Sequence, residues 1–582
     1  MSSTLPSDHR LSIQSTGTIP RSPAALLDTT ARERASLAPP ITQKPKRTGL
    51  PGLWDRIVSL GAEGTSQKVS PDFVEKRKLG TKVADAFSIY SFAILAVMSG
   101  WWTVWTAGLP YGWGSLMLSF LVMASGFWTS SLCWAELTSA LPFAGGPTTW
   151  GNAAFGSIGG TIMGQLNLTF WILTTASAYV AIGGYISSVA GVSINWAVSS
   201  LVILILINLL LALEVKWAFW VMRTFATVTL LFILLWFCLS VKTFDFQANV
   251  VRGGLSDADV DAVGWPTDTP SIINFEGFVA GLVISTWFFA GVECLPHAAE
   301  EAVEIPKSIP RSTHAVMLTL FALSFLILLM GSACSPGIFT ISTSLDPVLV
   351  LNMNAGLNVP YDPMSATMRG LYFTGLWALF GAIFAAIYAT SRIIYANARG
   401  GYLPSWLALT TSTNHSPVNA QVASSAVTYV IALIVGFCGD PSAYMILIYL
   451  GIVYEQLTNL FKALVYIQIA RKMPTLPRPY KSPLGIPGAV FAAAVMLACV
   501  ISMLVFQPYT RITTIVFAVH TCFCVPFYAF WVKWRLLMTP EKTSMSSTKR
   551  PSTPGNQTHT ASDVNSYRDM KGTGAHRTSV IC

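Results

Sequence analysis

Charged residues are scarce in this sequence. Only 11% of its 582 positions are Asp, Glu, Lys or Arg, where a soluble protein carries about 25%. So few charges cannot cover the surface of a water-soluble chain of this length, and 53% hydrophobic residues put most of that surface against lipid. Cysteine is sparse as well: nine, an odd number, scattered without metal-ligand spacing. Cys522 and Cys524 lie two apart, but inside an apolar segment. All nine read as structural or free thiols rather than a disulfide framework or a metal site. The sequence offers no phosphate-binding Gly-Lys loop, no metal-ligand cluster and no convincing Ser/His/Asp set. That argues against an enzyme and calls for no cofactor. The net charge of +9 does not point to nucleic acid, because the basic residues gather in the tails and a few loops, as membrane topology requires. No apolar core of signal-peptide length precedes the first long apolar segment, which is expected to act as its own insertion signal.

Long apolar runs are abundant. A helix needs about 20 apolar residues to cross the hydrocarbon core. Twelve segments qualify: 85–108, 113–141, 155–189, 194–214, 216–241, 276–299, 312–335, 368–396, 418–438, 442–470, 487–507 and 512–534. Several carry Gly, Ser and Thr, which suits helices packed on one another. Arg and Lys crowd the region before the first span (Lys76, Arg77, Lys78, Lys82). They recur after the sixth (Lys307, Arg311), the eighth (Arg392, Arg399), the tenth (Arg471, Lys472, Arg478, Lys481) and the twelfth (Lys533, Arg535). The loop after the fifth span is acidic (Asp245, Asp257, Asp259, Asp261, Asp268). Every basic cluster falls on one side if both termini are cytoplasmic. Residues 1–80 and 536–582 are polar and Ser/Thr-rich, and are expected to be disordered cytoplasmic tails around one membrane domain at 81–535.

Two spans interrupt themselves. The first, "DAFSIYSFAILAVMSGWWTVWTAGLP", places Ser99-Gly100 at mid-depth. A glycine there either weakens the helix or permits close packing. The sixth runs into "STWFFAGVECLPHAAEEAVEIPKSIPRS" (Ser285–Ser312), with Gly291, Glu293 and Pro296 close together. The five-span interval between the breaks is the spacing of a five-plus-five inverted repeat. Unpaired peptide groups at that depth are tolerated only where they line a cavity or are buried in protein. A half-helix N-terminus then offers N–H donors to a carboxylate or polar ligand. A facing pair of broken helices is the architecture of a secondary transporter's midplane site.

Several side chains in these spans are candidates for chemistry. An ionised carboxylate at mid-membrane must pair, protonate or face water. Glu293 is therefore a candidate for proton coupling or for contact with a substrate amine; the alternative is a helix-end carboxylate accepting backbone N–H bonds. Trp287 reads as a gate or as core. Glu136, just before Pro142 and Gly145-Gly146, reads mainly as the holder of an inner loop, and Glu455 as a residue of the tenth span facing the bundle interior. Both are kept as coupling or gating candidates. Arg223 can snorkel to the inner surface. Glu300, Glu301 and Glu304 with Lys307 and Arg311 read as an inner gate or a salt-bridged loop. His297 and His520 read as satisfied helix histidines.

Further motifs are recognisable. "AELTSALPFAGGPTTWG" (Ala135–Gly151), the Ser285–Ser312 stretch, "SRIIYANARGGYLPSWL" (Ser391–Leu407), "SPVNA" (Ser416–Ala420) and "RPYKSPLG" (Arg478–Gly485) occur in order between about 80 and 535. Together they resemble the amino acid–polyamine–organocation (APC) transporter superfamily. "SGWWTVW" and "PHAAEEA" look closest to its ethanolamine permease branch. The resemblance implies an all-α membrane protein of twelve transmembrane helices, with a site between the broken first and sixth helices that the third and eighth also line. It implies a substrate carboxylate or hydroxyl on backbone N–H groups around Ser99, Gly100 and Trp101. The substrate amine would meet carbonyls at Phe289, Ala290 and Gly291. Trp287 aligns with an aromatic gate, and Thr174, Ser177 and Phe384 with further substrate contacts. One departure stands out. Proton-coupled members often carry a lysine midway along the fifth helix, where this chain reads "TFATVTLLF" (Thr224–Phe232). That leaves the coupling ion open among proton, sodium and none; Thr390 and Ser391 supply hydroxyls of the kind sodium takes. The expectation is a plasma-membrane secondary active transporter for an amino acid or a small amine such as ethanolamine. The alternative is a non-transporting amino acid sensor that signals through its tails.

Overall fold

Among the described residues, ten helices are both long and apolar enough to cross a bilayer. The computed structural model describes residues 79–535 apart from 81, 264–272, 345, 439–440 and 508–509, together with 67–68, 76–77 and 537–538. The expected tails at 1–80 and 536–582 lie almost wholly outside the described residues, as does Asp268. Among the described residues the structure is helical save for a two-residue parallel pairing of Gln67–Lys68 with Leu537–Met538 and the isolated bridges Ala84–Ala302 and Phe244–Cys334. The eight described cysteines are free thiols.

The first span is α1 (Ala86–Met98), extended by Gly100–Thr103 and a 3-10 turn at Trp105–Tyr111. It is followed by α2 (Trp113–Ala140), α3 (Pro147–Ala190), α4 (Trp196–Leu211) and α5 (Val215–Ser240). The sixth span is α6 (Phe275–Ser285) with 3-10 segments running to Glu301. Then come α7 (Ile305–Ala333), a short α8 (Val348–Leu357), α9 (Ala366–Arg399) and α10 (Val418–Phe437). The last three are α11 (Pro441–Lys472), α12 (Gly485–Val505) and α13 (Thr510–Phe527).

The bent first span makes an eleventh crossing. The twelfth expected crossing, 194–214, is α4, which at 16 residues falls short of the roughly 20 needed to span hydrocarbon unaided. Its apolar run outlasts the helix because the chain turns at Ala212–Leu213 into the exposed Glu214–Lys216 ion pair (2.7 Å). Two helices begin well before their apolar runs, α3 at 147 and α7 at 305. Hydropathy marks only the part of a helix that meets lipid, not the polar turns beyond it.

Polar caps mark where helices begin. Asp85 accepts from the Ser88 N–H (2.9 Å), Asn274 from Gly277 (2.6 Å) and Ser365 from Met368 (3.2 Å). Each satisfies a first-turn donor that the helix cannot. Asp85 also binds Arg223 at 2.5 Å. Partial burial pushes the Asp85 carboxyl up, but the Ser88 bonds and the Arg223 charge outweigh it and hold the group below its ordinary value. Its contribution is therefore complete at neutral pH and is lost only as acid takes the group through that lowered value.

Helices α3, α9 and α11 form the centre of the bundle, α1 packs against α5, α7 and α9, and α6 against α2 and α12. Outward faces carry exposed Val198, Val202 and Leu209 on α4, and Val519 and Phe523 on α13. Apolar faces of that extent suit a membrane rather than water.

Candidate functional site

The sixth span stops being an α-helix at Ser285. A single 3-10 turn covers Thr286–Phe288, Gly291 stands at φ 107°, and Val292–Glu301 resumes as a 3-10 helix containing Pro296. Both causes are in the sequence. Gly291 occupies a left-handed conformation that costs other residues energy, and Pro296 removes a backbone donor. A side chain at Gly291 is excluded twice over, since a Cβ there would sit 2.8 Å from the Ala96 carbonyl oxygen.

The first span is interrupted as well. Helical bonding lapses at Ser99, but the axis turns by 48° between Ala86–Trp102 and Trp105–Tyr111. The bend thus falls at Thr103–Val104, on the far side of the expected Ser99-Gly100, where the chain tightens into a 3-10 turn carrying Pro110. The two interruptions touch. Gly100 abuts the Trp287 carbonyl so closely that a Cβ would lie 3.1 Å from its oxygen.

Between them lies a cavity of about 70 Å³. The first span contributes Ala96, Ser99, Gly100 and Val104, and the sixth Trp287, Ala290 and Gly291. From α3 come Phe170, Trp171, Thr174, Thr175, Ser177, Ala178 and Ala181; α9 adds Leu379, Ala382 and Ala386, and α11 adds Tyr444 and Ile448. No charged side chain is in this lining. Of the sequence candidates, Ser99, Gly100, Thr174, Ser177, Trp287, Ala290 and Gly291 come together here. Trp101, Phe289 and Phe384 do not line the cavity and are buried behind it. Phe289 stacks on Phe120 and Phe127 of α2. Trp171, Tyr444 and Ile448 were not anticipated; the residue of α11 singled out from the sequence, Glu455, is not in the lining. Both Trp171 and Trp287 bury an indole N–H that has no protein partner.

A larger hollow of about 590 Å³ shares Val104, Ala181, Tyr444 and Ile448 with the cavity and reaches Ser344, Asp346 and Pro347 between α7 and α8. Asp346 accepts hydrogen bonds from Tyr361 (2.5 Å) and Tyr372.

The opposite end is sealed. Arg392 of α9 donates to Glu301 at 2.9 Å, with 2% and 0% of the two side chains exposed. Its guanidinium lies 3.7 Å from the Tyr388 ring centroid, and Tyr388 donates to the same carboxylate. Arg399 pairs with Glu300, whose carboxylate also accepts the Ala144 N–H (2.8 Å). The Val83 and Ala84 N–H groups donate to the Glu301 backbone carbonyl at 3.0 and 2.9 Å. The acidic run thus binds arginines of the eighth span rather than the expected Lys307 and Arg311; only the exposed Glu304 takes Lys307 (3.1 Å). The difference follows from helical spacing. Arg392 and Arg399 lie on one face of α9, which packs against the sixth-span end, whereas Lys307 follows Glu304 by three residues and can reach only its own turn.

A family model described as amino acid permease matches residues 85–525. The chain belongs to the amino acid permease family. Three relatives agree with that match. "Probable GABA permease" of Pseudomonas aeruginosa is 24% identical, over 67% of this chain and 79% of its own length. The lysine-specific permease LysP of Lactococcus lactis is 23% identical, over 50% and 57%. The human Asc-type amino acid transporter 1 is 26% identical, over 64% and 68%. The protein is therefore an APC-superfamily transporter, multi-pass in the membrane, and not an enzyme.

The permease's remaining charged candidates sit apart from the cavity. Glu136 accepts from Arg478 (2.7 Å), Tyr466 (2.7 Å) and the Ser482 N–H (2.7 Å). It fastens the loop after α11 to the end of α2. His297 bonds the Ala144 carbonyl through Nδ1 (3.0 Å) and Asn167 through Nε2 (3.2 Å). A donating Nδ1–H and an accepting Nε2 satisfy a neutral ring. His520 bonds Tyr454 at 2.7 Å. Arg223 bonds Asp85 and Ser88 and lies over the Phe87 ring at 5.8 Å.

Glu293 and Glu455 belong to a different arrangement. Glu293 accepts the Gly291 N–H at 3.2 Å through one oxygen. Its other oxygen and both oxygens of Glu455 are buried without a donor. Lys462, one helical face along α11 from Glu455, donates to Asn459 (3.1 Å) and lies 4.7 Å from the Trp134 ring centroid. Lys462 is 1% exposed. The sequence carried a signal for it, a lysine inside the apolar tenth span seven positions after a glutamate, which is one face of a helix.

Proposed function

We propose that the permease is a secondary active transporter for a small amino acid or amine carrying no charge on its side chain, ethanolamine being one such cargo. It works by alternating access across the plasma membrane, with both termini cytoplasmic. On this reading α4 completes twelve crossings, and the first five pair with the next five as an inverted repeat around the cavity. The lining carries the reading: it holds no charged side chain, yet presents two unpartnered indole donors beside two interrupted helices. A cargo must then match its own charges to backbone groups and to Trp171 and Trp287. A lysine- or glutamate-like side chain would be left unpaired in a dry site, at a cost that excludes it. The seal at Glu301–Arg392 and the hollow at Asp346 fit a state open towards the α7–α8 side.

The test is uptake of a labelled panel into proteoliposomes: neutral amino acids, γ-aminobutyrate, ethanolamine, choline, lysine and glutamate, with imposed proton or sodium gradients. Uptake is expected for small uncharged-side-chain members and not for lysine or glutamate. Saturable binding with no flux for any member would favour a sensor instead. Trp171→Phe keeps the ring but deletes one donor. A hydrogen bond to a charged acceptor is worth about 1.5–3 kcal/mol. The half-saturation concentration is therefore expected to rise about tenfold to a hundredfold at unchanged protein level.

A further inference from the structure

We propose that the larger hollow is a second binding site, for an organic ammonium cation whose apolar body is too large for the inner cavity. Its place on the cargo's path rests on the transport reading above; the binding itself does not. The two spaces differ in size and in charge. The hollow measures about 590 Å³ against about 70 Å³ for the cavity, and a volume of that order is usual for small-molecule sites. The cavity lining has no charged side chain, whereas the hollow has one, Asp346, and no basic residue beside it in the lining.

Asp346 is held in place but not neutralised. Its Oδ2 accepts from the Tyr361 hydroxyl at 2.5 Å and from the Ser344 hydroxyl at 3.3 Å, and its Oδ1 accepts from Tyr372. Hydroxyls orient a carboxylate without cancelling its charge. Among the described residues no Lys, Arg or His forms an ion pair with it. A carboxylate has about four acceptor positions, so Oδ1 can take an N–H donor beside the Tyr372 hydroxyl.

Aromatic side chains supply the rest of the recognition. Trp102 of the first span, Tyr185 of α3, Tyr372 of α9 and Tyr444 of α11 all line the hollow. Ring faces carry negative charge density that attracts an ammonium group, and their carbon surface takes an apolar body. Gly375 of α9 makes room for two of these rings: a Cβ there would run into Tyr185 and lie 3.1 Å from Trp102 Cδ1. Trp102 is fixed further by donating from Nε1 to Thr374 at 3.4 Å. Tyr185 is 8% exposed, and its hydroxyl has no partner in the protein. A buried hydroxyl left so is costly unless a ligand or water meets it. A metal ion is the poorer occupant, because hard cations take a shell of oxygen ligands and this lining is largely aromatic and aliphatic. The hollow joins the cavity through Val104, Ala181, Tyr444 and Ile448, so a bound amine would stand on the cargo's way in.

Calorimetric titration of the purified full-length protein with phenethylamine tests the site without any transport measurement. The amine should bind, and its uncharged counterpart phenethyl alcohol should bind about tenfold to a hundredfold more weakly, the worth of a hydrogen bond to a charged group. Asp346→Asn keeps the shape and should lose the same factor for the amine but not for the alcohol. Gly100→Leu, which fills the inner cavity, should leave the amine's affinity unchanged. Equal affinity for amine and alcohol on the unaltered protein overturns the site, and decides the matter even if Asp346→Asn fails to fold. Undiminished amine binding in a folded Asp346→Asn overturns it too, as does loss of amine binding in Gly100→Leu, which would put the ligand in the inner cavity. In proteoliposomes, phenethylamine at saturating concentration should block uptake of labelled ethanolamine and alanine. Unimpeded uptake would take the hollow off the cargo's path. Absence of uptake for every cargo would instead remove the transport reading and leave the binding result standing.

Discussion

Changing Gly100 to leucine is expected to cut uptake at least a hundredfold, to a level about 2.7 kcal/mol below that of the unaltered protein, with protein still present in the membrane. The position has no room. A Cβ alone would stand 3.1 Å from the Trp287 carbonyl oxygen, and the remaining carbons of leucine would enter a cavity of about 70 Å³. Overfilling a packed site typically costs 1–3 kcal/mol, and the same atoms displace the cargo. Gly370 supplies the control: it lies on α9 and a Cβ there meets nothing within 4 Å, so Gly370→Leu should transport normally. Gly100→Ala should fall between the two. Initial rates normalised to surface-labelled protein decide the matter, with thermal denaturation in detergent to detect unfolding. Wild-type kinetics in Gly100→Leu would remove the cavity from the pathway.

The second large effect concerns the seal. Arg392→Met leaves the Glu301 carboxylate charged and buried, and breaking such a pair costs about 3–5 kcal/mol. The single variant should accumulate poorly and denature at lower temperature. Glu301→Gln combined with Arg392→Met removes both charges, so protein level should recover. Function should not. With the bolt between the sixth and eighth spans gone, the resting balance shifts towards the state open at that end, by about 5–150-fold if the pair is worth 1–3 kcal/mol. A Ser391→Cys reporter, 0% exposed in the sealed state, reads this as faster labelling by a membrane-impermeant maleimide from the side of the termini. The background replaces the exposed Cys238, Cys438 and Cys522, the partly exposed Cys524 and the terminal Cys582. Equal labelling rates with and without the pair would show that the seal does not depend on it.

The two effects act on different parts of one cycle. On the proposed reading, Gly100 would set whether cargo fits and the Glu301–Arg392 pair which side the cavity faces. Losses at these two places should separate in kinetics: binding and rate at Gly100, sidedness at Arg392.

Much of this was readable from residue order. Apolar runs located the helices because crossing hydrocarbon demands length and hydropathy of every span, whatever its neighbours. Gly291 and Pro296 announced the sixth-span break because their backbone properties are local. The motifs of α2, the sixth span and α9 announced the superfamily. Tertiary packing decided the rest. Only the folded bundle put Trp171 and α11 on the cavity, moved the first bend to Val104, and turned Phe384 away. Only there did Glu300 and Glu301 choose arginines about a hundred residues distant. Lys462 makes the same point: as a letter it is one cation in an apolar helix, and only the fold brings the Trp134 ring of α2 to 4.7 Å from it. Hydropathy and backbone breaks are properties of short segments, so the sequence carries them directly. Which side chains share a cavity or neutralise one another depends on how helices rotate and cross, and that is set by packing among all of them at once.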